Sequence, residues 1–117
     1  MQQVLDALSP DELDYNRAAK LGPVALPYLE HLVKTADPLL ASKATYLSSL
    51  IADERSVTVL KIAAQSDYAE VRVAAAAGAS NLPEPAANEV LSLLKNDDDI
   101  GVRKVTNSSL QSIHDSQ

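Results

Sequence analysis

The chain of 117 residues contains no cysteine, no tryptophan and no phenylalanine, and only three glycines. Without cysteine there is no disulfide and no thiol chemistry, and nothing argues for an oxidising compartment. With so few glycines there is no glycine-rich phosphate loop. Four tyrosines are the only aromatics, so the core must be Leu, Val, Ile and Ala. The apolar stretches are far too short to cross a bilayer. Met1-Gln2-Gln3 has no basic start and leads into no apolar segment, which predicts no signal peptide and a cytoplasmic location. Positive charge is scarce as well: ten Lys and Arg stand against sixteen Asp and Glu, a net charge of −6. Affinity for nucleic acid comes mainly from Lys and Arg neutralising phosphates, so this balance argues against it. Asn-Gly and Asp-Gly are absent and no apolar/polar alternation is sustained, so nothing signals a β-hairpin.

What the chain does have is a repeat of 31 residues. Leu40, Val71 and Val102 recur at that spacing, as do Ala44, Ala75 and Thr106, and Ile51, Leu82 and Ile113. A fixed period of this size signals stacked supersecondary units. Within each segment the apolar offsets 0, 4, 8 and 11 share one helical face: Leu40, Ala44, Ser48, Ile51; Val71, Ala75, Ala79, Leu82; Val102, Thr106, Leu110, Ile113. A second helical pattern keeps the same register through Tyr28, Val59 and Val90, Leu29, Leu60 and Leu91, and Leu32, Ala63 and Leu94. Each repeat therefore reads as two antiparallel helices joined by a short turn.

Helix punctuation agrees. Ser9-Pro10-Asp11-Glu12 is a capping box with Pro at the first helical position. Asp37-Pro38 repeats the device, and Asp67 with Glu70 reads as an acidic capping pair. Gly22-Pro23 and Pro83-Glu84-Pro85 each separate two helices. The pattern predicts helices near 10–21, 23–35, 38–52, 54–66, 68–82, 84–96 and 99–115, with a short turn or helix at Val4, Leu5 and Leu8. The expected buried set is Leu29, Leu32, Leu60, Ile62, Val71, Ala75, Leu82, Leu91, Leu94, Val102, Leu110 and Ile113. Gly78, inside an Ala-rich helix, is expected to cost about 1 kcal/mol relative to Ala.

The pattern Asp67, Val71, Arg72, Ala74, Ala75, and less completely Asp98, Val102, Arg103, resembles the first helix of a HEAT repeat. Leu21-Gly22-Pro23-Val24-Ala25-Leu26-Pro27-Tyr28-Leu29 resembles that family's junction into a second helix. The short period is similar to the compact HEAT-like repeats of phycobilisome lyases, and the resemblance covers residues 18–113. It implies an all-α chain, an α-solenoid or right-handed superhelix of about three and a half HEAT-like helix pairs. These form a single domain over 1–117, with repeat units near 10–36, 37–66, 67–97 and 98–115. Such repeats serve adaptors, inhibitors, lyases and nucleic-acid enzymes alike, so the resemblance implies fold far more than function. Ala41 stands where the later repeats have Arg72 and Arg103, so an Asp–Arg ladder between repeats, frequent in the family, is incomplete here.

Candidate chemistry is thin. Asp97-Asp98-Asp99 lacks the ligand spacing of a calcium loop and reads as an acidic turn capping the last helix. His31 and His114 have no carboxylate arranged near them in sequence, and His31, in register with Ile62 and Leu93, is expected to be half-buried. Ser48-Ser49 and Ser108-Ser109 lack a nucleophile-elbow context. Arg72 and Arg103 recur at the repeat spacing, which favours structural pairing over ligand capture. No catalytic residue, cofactor or metal is expected. The function expected is a non-enzymatic protein–protein interaction module, an adaptor, scaffold or inhibitor, mostly monomeric, with a protein partner and neither nucleic acid nor membrane. The alternative is a subunit or relative of a HEAT-like bilin lyase. The second helices and their turns supply the candidate binding surface: Tyr28, Glu30, Lys34, Lys61, Gln65, Tyr68, Glu89, Ser92 and Asn96, with Tyr28 and Tyr68 as aromatic anchors.

Overall fold

The computed structural model describes residues 2–8 and 14–115. Among these there are eight α-helices and no strand: α1 (Gln2–Leu8), α2 (Tyr15–Ala18), α3 (Leu26–Thr35), α4 (Pro38–Ile51), α5 (Glu54–Ala64), α6 (Ala69–Ala79), α7 (Glu84–Leu94) and α8 (Ile100–Asp115). The expected capping box at Ser9–Glu12, and the start of the helix it introduces, lie outside the described residues. Asp14 caps α2 by accepting the Arg17 N–H at 3.1 Å. Short 3-10 turns at Ala19–Leu21 and Pro23–Ala25 flank Gly22, whose φ of 74° suits glycine.

Caps account for most other boundaries. Asp37 accepts the Leu40 N–H at 3.1 Å, with Pro38 opening α4. Asp53 caps α5: its carboxylate accepts the Arg55 N–H at 3.2 Å, while the Ser56 hydroxyl accepts the Asp53 N–H at 3.0 Å. The expected Asp67–Glu70 cap does not form. Tyr68 occupies the N-cap of α6 without a side-chain cap, and its N–H goes instead to Ser66 Oγ at 3.1 Å. The chain leaves α6 at Ala79 rather than at Leu82, because the Asn81 and Leu82 N–H groups turn back to the carbonyls of Gly78 and Ala79.

The helices alternate between two sets. In the first, α4 packs on α6 and α6 on α8; in the second, α3 packs on α5 and α5 on α7; consecutive helices join the sets. The radius of gyration is 13.0 Å, close to the ~13 Å of an ordinary globular chain this long, so few helices in each set leave the molecule unelongated. Leu29, Leu60, Leu91 and Leu94, with Val59, Val71, Val90 and Val102, are fully buried at the junction of the sets. Small residues let α4 and α6 approach closely: Ala41, Ala44, Ser48 and Ser49 on one, Ala75, Ala76, Gly78 and Ala79 on the other, all buried. A Cβ at Gly78 would stand 2.8 Å from Ser49 Cβ. The expected gain from alanine there is therefore overturned, because the helix contact excludes the methyl group.

Buried hydroxyls are satisfied by backbone carbonyls, mostly within their own helices. Thr45, Ser48 and Thr106 donate to the carbonyls four residues back at 2.8 Å, and Ser109 crosses from α8 to the Ala76 carbonyl at 2.7 Å. Among the described residues no buried side-chain N or O lacks a partner.

Three expected core residues are only half-buried: Ile62, Leu110 and Ile113. Leu110 and Ile113 lie on α8, whose main neighbours among the described residues are α6 and α7. Ile62 lines an open groove described below. Tyr28 matches the buried Val59 and Val90 in register yet is exposed; among the described residues no second-set helix precedes α3 to cover it.

Candidate functional site

The second-set helices α3, α5 and α7 carry most of the predicted binding residues, and ion pairs tie several of them together. Lys34 Nζ lies 3.3 Å from Glu30 Oε2, one turn away on α3. Lys61 Nζ on α5 lies 2.8 Å from Glu89 Oε2 on α7, so the cross-helix contact runs from 61 to 89. Such exposed pairs contribute little to stability, about 0–1 kcal/mol, so these side chains stay available to a partner. Ser92 donates its hydroxyl to the Glu89 carbonyl at 2.8 Å, and Asn96 is exposed just beyond α7.

Three of the nine predicted residues meet in one place. Lys34, Gln65 and Tyr68 line a groove of about 340 Å³ with Val33, Ala36, Ile62, Ser66 and Asp67. It lies where the turn after α3 meets the turn after α5, so these two turns contribute its two sides. Its floor is apolar (Val33, Ala36, Ile62) and its rim carries an ammonium, a carboxylate, an amide and a phenol. Tyr28, Glu30, Lys61, Glu89, Ser92 and Asn96 are not part of it. His31, expected half-buried, is exposed on α3.

In the acidic turn 97–99, Asp97 and Asp99 are engaged in structure, while Asp98 is exposed with its carboxylate 3.5 Å from Arg72 Nη2. Asp99 Oδ2 accepts the Val102 N–H at 2.9 Å at the start of α8. Asp97 accepts Arg72 Nε and Nη2 at 2.9 and 3.2 Å, and the Asp99 N–H at 3.0 Å. Burial opposes ionisation of Asp97, but the Asp99 N–H and the Arg72 guanidinium outweigh it and hold the carboxyl below the usual range. Arg72 and Arg103 thus both have structural partners: Arg103 Nη1 donates to the Asp97 carbonyl at 2.7 Å. Among the described residues, no three His, Cys, Asp or Glu side chains group to hold a metal ion. Ser48 and Ser49 are buried with their hydroxyls bound to backbone carbonyls, which removes them as nucleophiles.

Sequence reasoning missed a second groove, of about 670 Å³, on the first-set side. Tyr15 and Tyr46 stand edge to face, with centroids 5.0 Å apart and planes at 73°. Leu39, Val73 and Ala74 extend the apolar wall, with Lys43 and Glu70 beside it. Burial, then the neighbouring Tyr46, pushes the Tyr15 phenol up, so it stays a neutral donor. The signal was in the repeat itself: Tyr15 and Tyr46, Leu39 and Glu70, Ser42 and Val73, and Lys43 and Ala74 all stand 31 apart.

Comparison with protein-family models, with curated proteins and with solved structures finds no match for this chain.

Proposed function

We propose that the chain is a short α-solenoid of HEAT-like helix pairs, a right-handed stack, that acts as a non-enzymatic protein-interaction module. The alternation of two helix sets, with burial recurring every 31 residues, supports the solenoid reading. The observation that carries the function is the groove at Lys34, Gln65 and Tyr68. An apolar floor with a mixed polar rim, built from two successive turns, suits a polypeptide that lays one side chain into it and crosses the repeats. A chain of net charge −6 suits a protein better than a phosphate backbone.

The test is parallel affinity capture with the wild-type chain and a Lys34→Glu, Tyr68→Ala variant, read by quantitative mass spectrometry. A partner retained by the wild type and lost by the variant, with thermal stability unchanged, supports the reading. Identical retained proteins for both would refute this groove as the site.

A further inference from the structure

Arg72 fills a gap between two turns. Its Nη1 donates to the Ser66 carbonyl in the turn after α5, at 2.9 Å. Its Nε and Nη2 donate to the Asp97 carboxylate in the turn after α7, at 2.9 and 3.2 Å, and Asp98 lies 3.5 Å from Nη2. The sequence repeat puts Ala41 at the same position 31 residues earlier. The corresponding gap there lies between the turns after α3 and α5, and it is where the groove of Lys34, Gln65 and Tyr68 opens. One gap holds a guanidinium and the other a groove of about 340 Å³.

Two side chains on the rim of that groove are unengaged. Asp67 corresponds to Asp98, yet among the described residues no cation pairs with its carboxylate. Tyr68 corresponds to Asp37 and Asp99, whose carboxylates cap α4 and α8 by accepting the Leu40 and Val102 N–H groups. Tyr68 leaves α6 without a side-chain cap and keeps 51% of its surface exposed. At this turn a cap is exchanged for an open ring beside an apolar floor, a local departure of the kind that binding residues make.

We propose that the groove takes an arginine side chain of a partner polypeptide, in the place that Arg72 fills one repeat on. The proposal rests on the reading of this groove as the binding surface and names the chemistry of its anchor. The arginine methylenes lie over Val33, Ala36 and Ile62, and the guanidinium meets the Asp67 carboxylate and the Tyr68 ring. Arginine fits better than lysine, because its planar head stacks on a ring while donating to a carboxylate. The chain's net charge of −6 favours a cation here. Lys34 stands on the other rim, so the fitting segment also carries an Asp or Glu for it. Packed helices lie about 8–10 Å apart, which is about three residues of extended chain, so the motif is an acid and an arginine three positions apart.

The test is an NMR titration of the full chain, watching backbone amide signals. The probe is acetyl-Ala-Glu-Ala-Ala-Arg-Ala amide. In the control peptide citrulline replaces the arginine, keeping its shape without its charge. The expected result is saturable shifts at residues 33–36 and 65–68, with affinity for the control lower by about fivefold or more. Tyr68→Asn should weaken the arginine peptide by about as much while raising the thermal midpoint, since asparagine supplies the missing cap. Equal affinity for both peptides overturns the inference while leaving a groove that binds polypeptide. An absence of saturable shifts at those residues overturns it too, and the capture experiment above then decides the groove reading by itself. A Tyr68→Asn chain that binds the peptide as the wild type does, or that melts below it, overturns the inference as well.

Discussion

Gly78 on α6 lies so close to Ser49 on α4 that a Cβ at position 78 would come within 2.8 Å of both Ser49 Cβ and Oγ. Ser49 is itself held, donating to the Tyr46 carbonyl at 2.6 Å and accepting from Asn81 Nδ2 at 3.1 Å. Helix propensity alone favours alanine at 78 by about 1 kcal/mol. Packing reverses that sign. Gly78→Ala should lower stability by about 1–3 kcal/mol in urea denaturation, the range for an overpacked core. In a Ser49→Gly background the same change should cost much less, since the opposing Cβ is gone. A more stable Gly78→Ala single variant would contradict the close contact.

The Arg72–Asp97 pair sets an acid limit on stability. Both side chains are largely buried, at 15% and 10% exposure. The Asp97 carboxyl is held below the usual range, so it binds protons more weakly in the folded than in the unfolded chain. Its contribution is therefore present above the unfolded carboxyl value, near 3.8, and is lost as pH falls through the depressed folded value. Arg72→Ala should cost about 2–3 kcal/mol at neutral pH, between the figures for exposed and buried pairs. Thermal melts below pH 4 should show the variant and the wild type converging. A constant difference across that window would contradict the assignment.

Ala52 closes α4 in the left-handed region, with φ 54° and ψ 37°, and is exposed. Glycine adopts that conformation without the Cβ penalty. Ala52→Gly should therefore stabilise the chain by about 0.5–1 kcal/mol in denaturant titration, although alanine to glycine is usually destabilising. Loss of stability would argue against the left-handed cap.

The helices were legible because apolar spacing recurs with the repeat, and Asp37-Pro38 marks a start that the chain uses. Burial was less legible on α3 and α8. Periodicity says which face of a helix is apolar, not whether another helix covers it, so Tyr28, Leu110 and Ile113 are more exposed than their register implied. The Asp53 cap escaped notice because no proline follows it. Arg72 and Asp97 lie 25 residues apart, a separation that becomes a contact only once α6 and the turn after α7 meet. Lys34, Gln65 and Tyr68 were foreseen as surface residues, but that they share one groove depends on how two turns stack. Tyr15 and Tyr46 also stand 31 apart, but spacing alone does not say that two exposed-looking rings meet; that contact forms only where α2 packs on α4.

The second-set groove is the proposed binding surface. Calorimetric titration of the captured partner against three forms tests it most directly: wild type, Lys34→Glu with Tyr68→Ala, and Tyr15→Ala with Leu39→Ala. The second form should lose affinity by roughly tenfold or more, as expected for an aromatic anchor, while the third should bind as the wild type does. Unchanged affinity in the second form and lost affinity in the third would place the partner in the groove between α2, α4 and α6 and contradict the account.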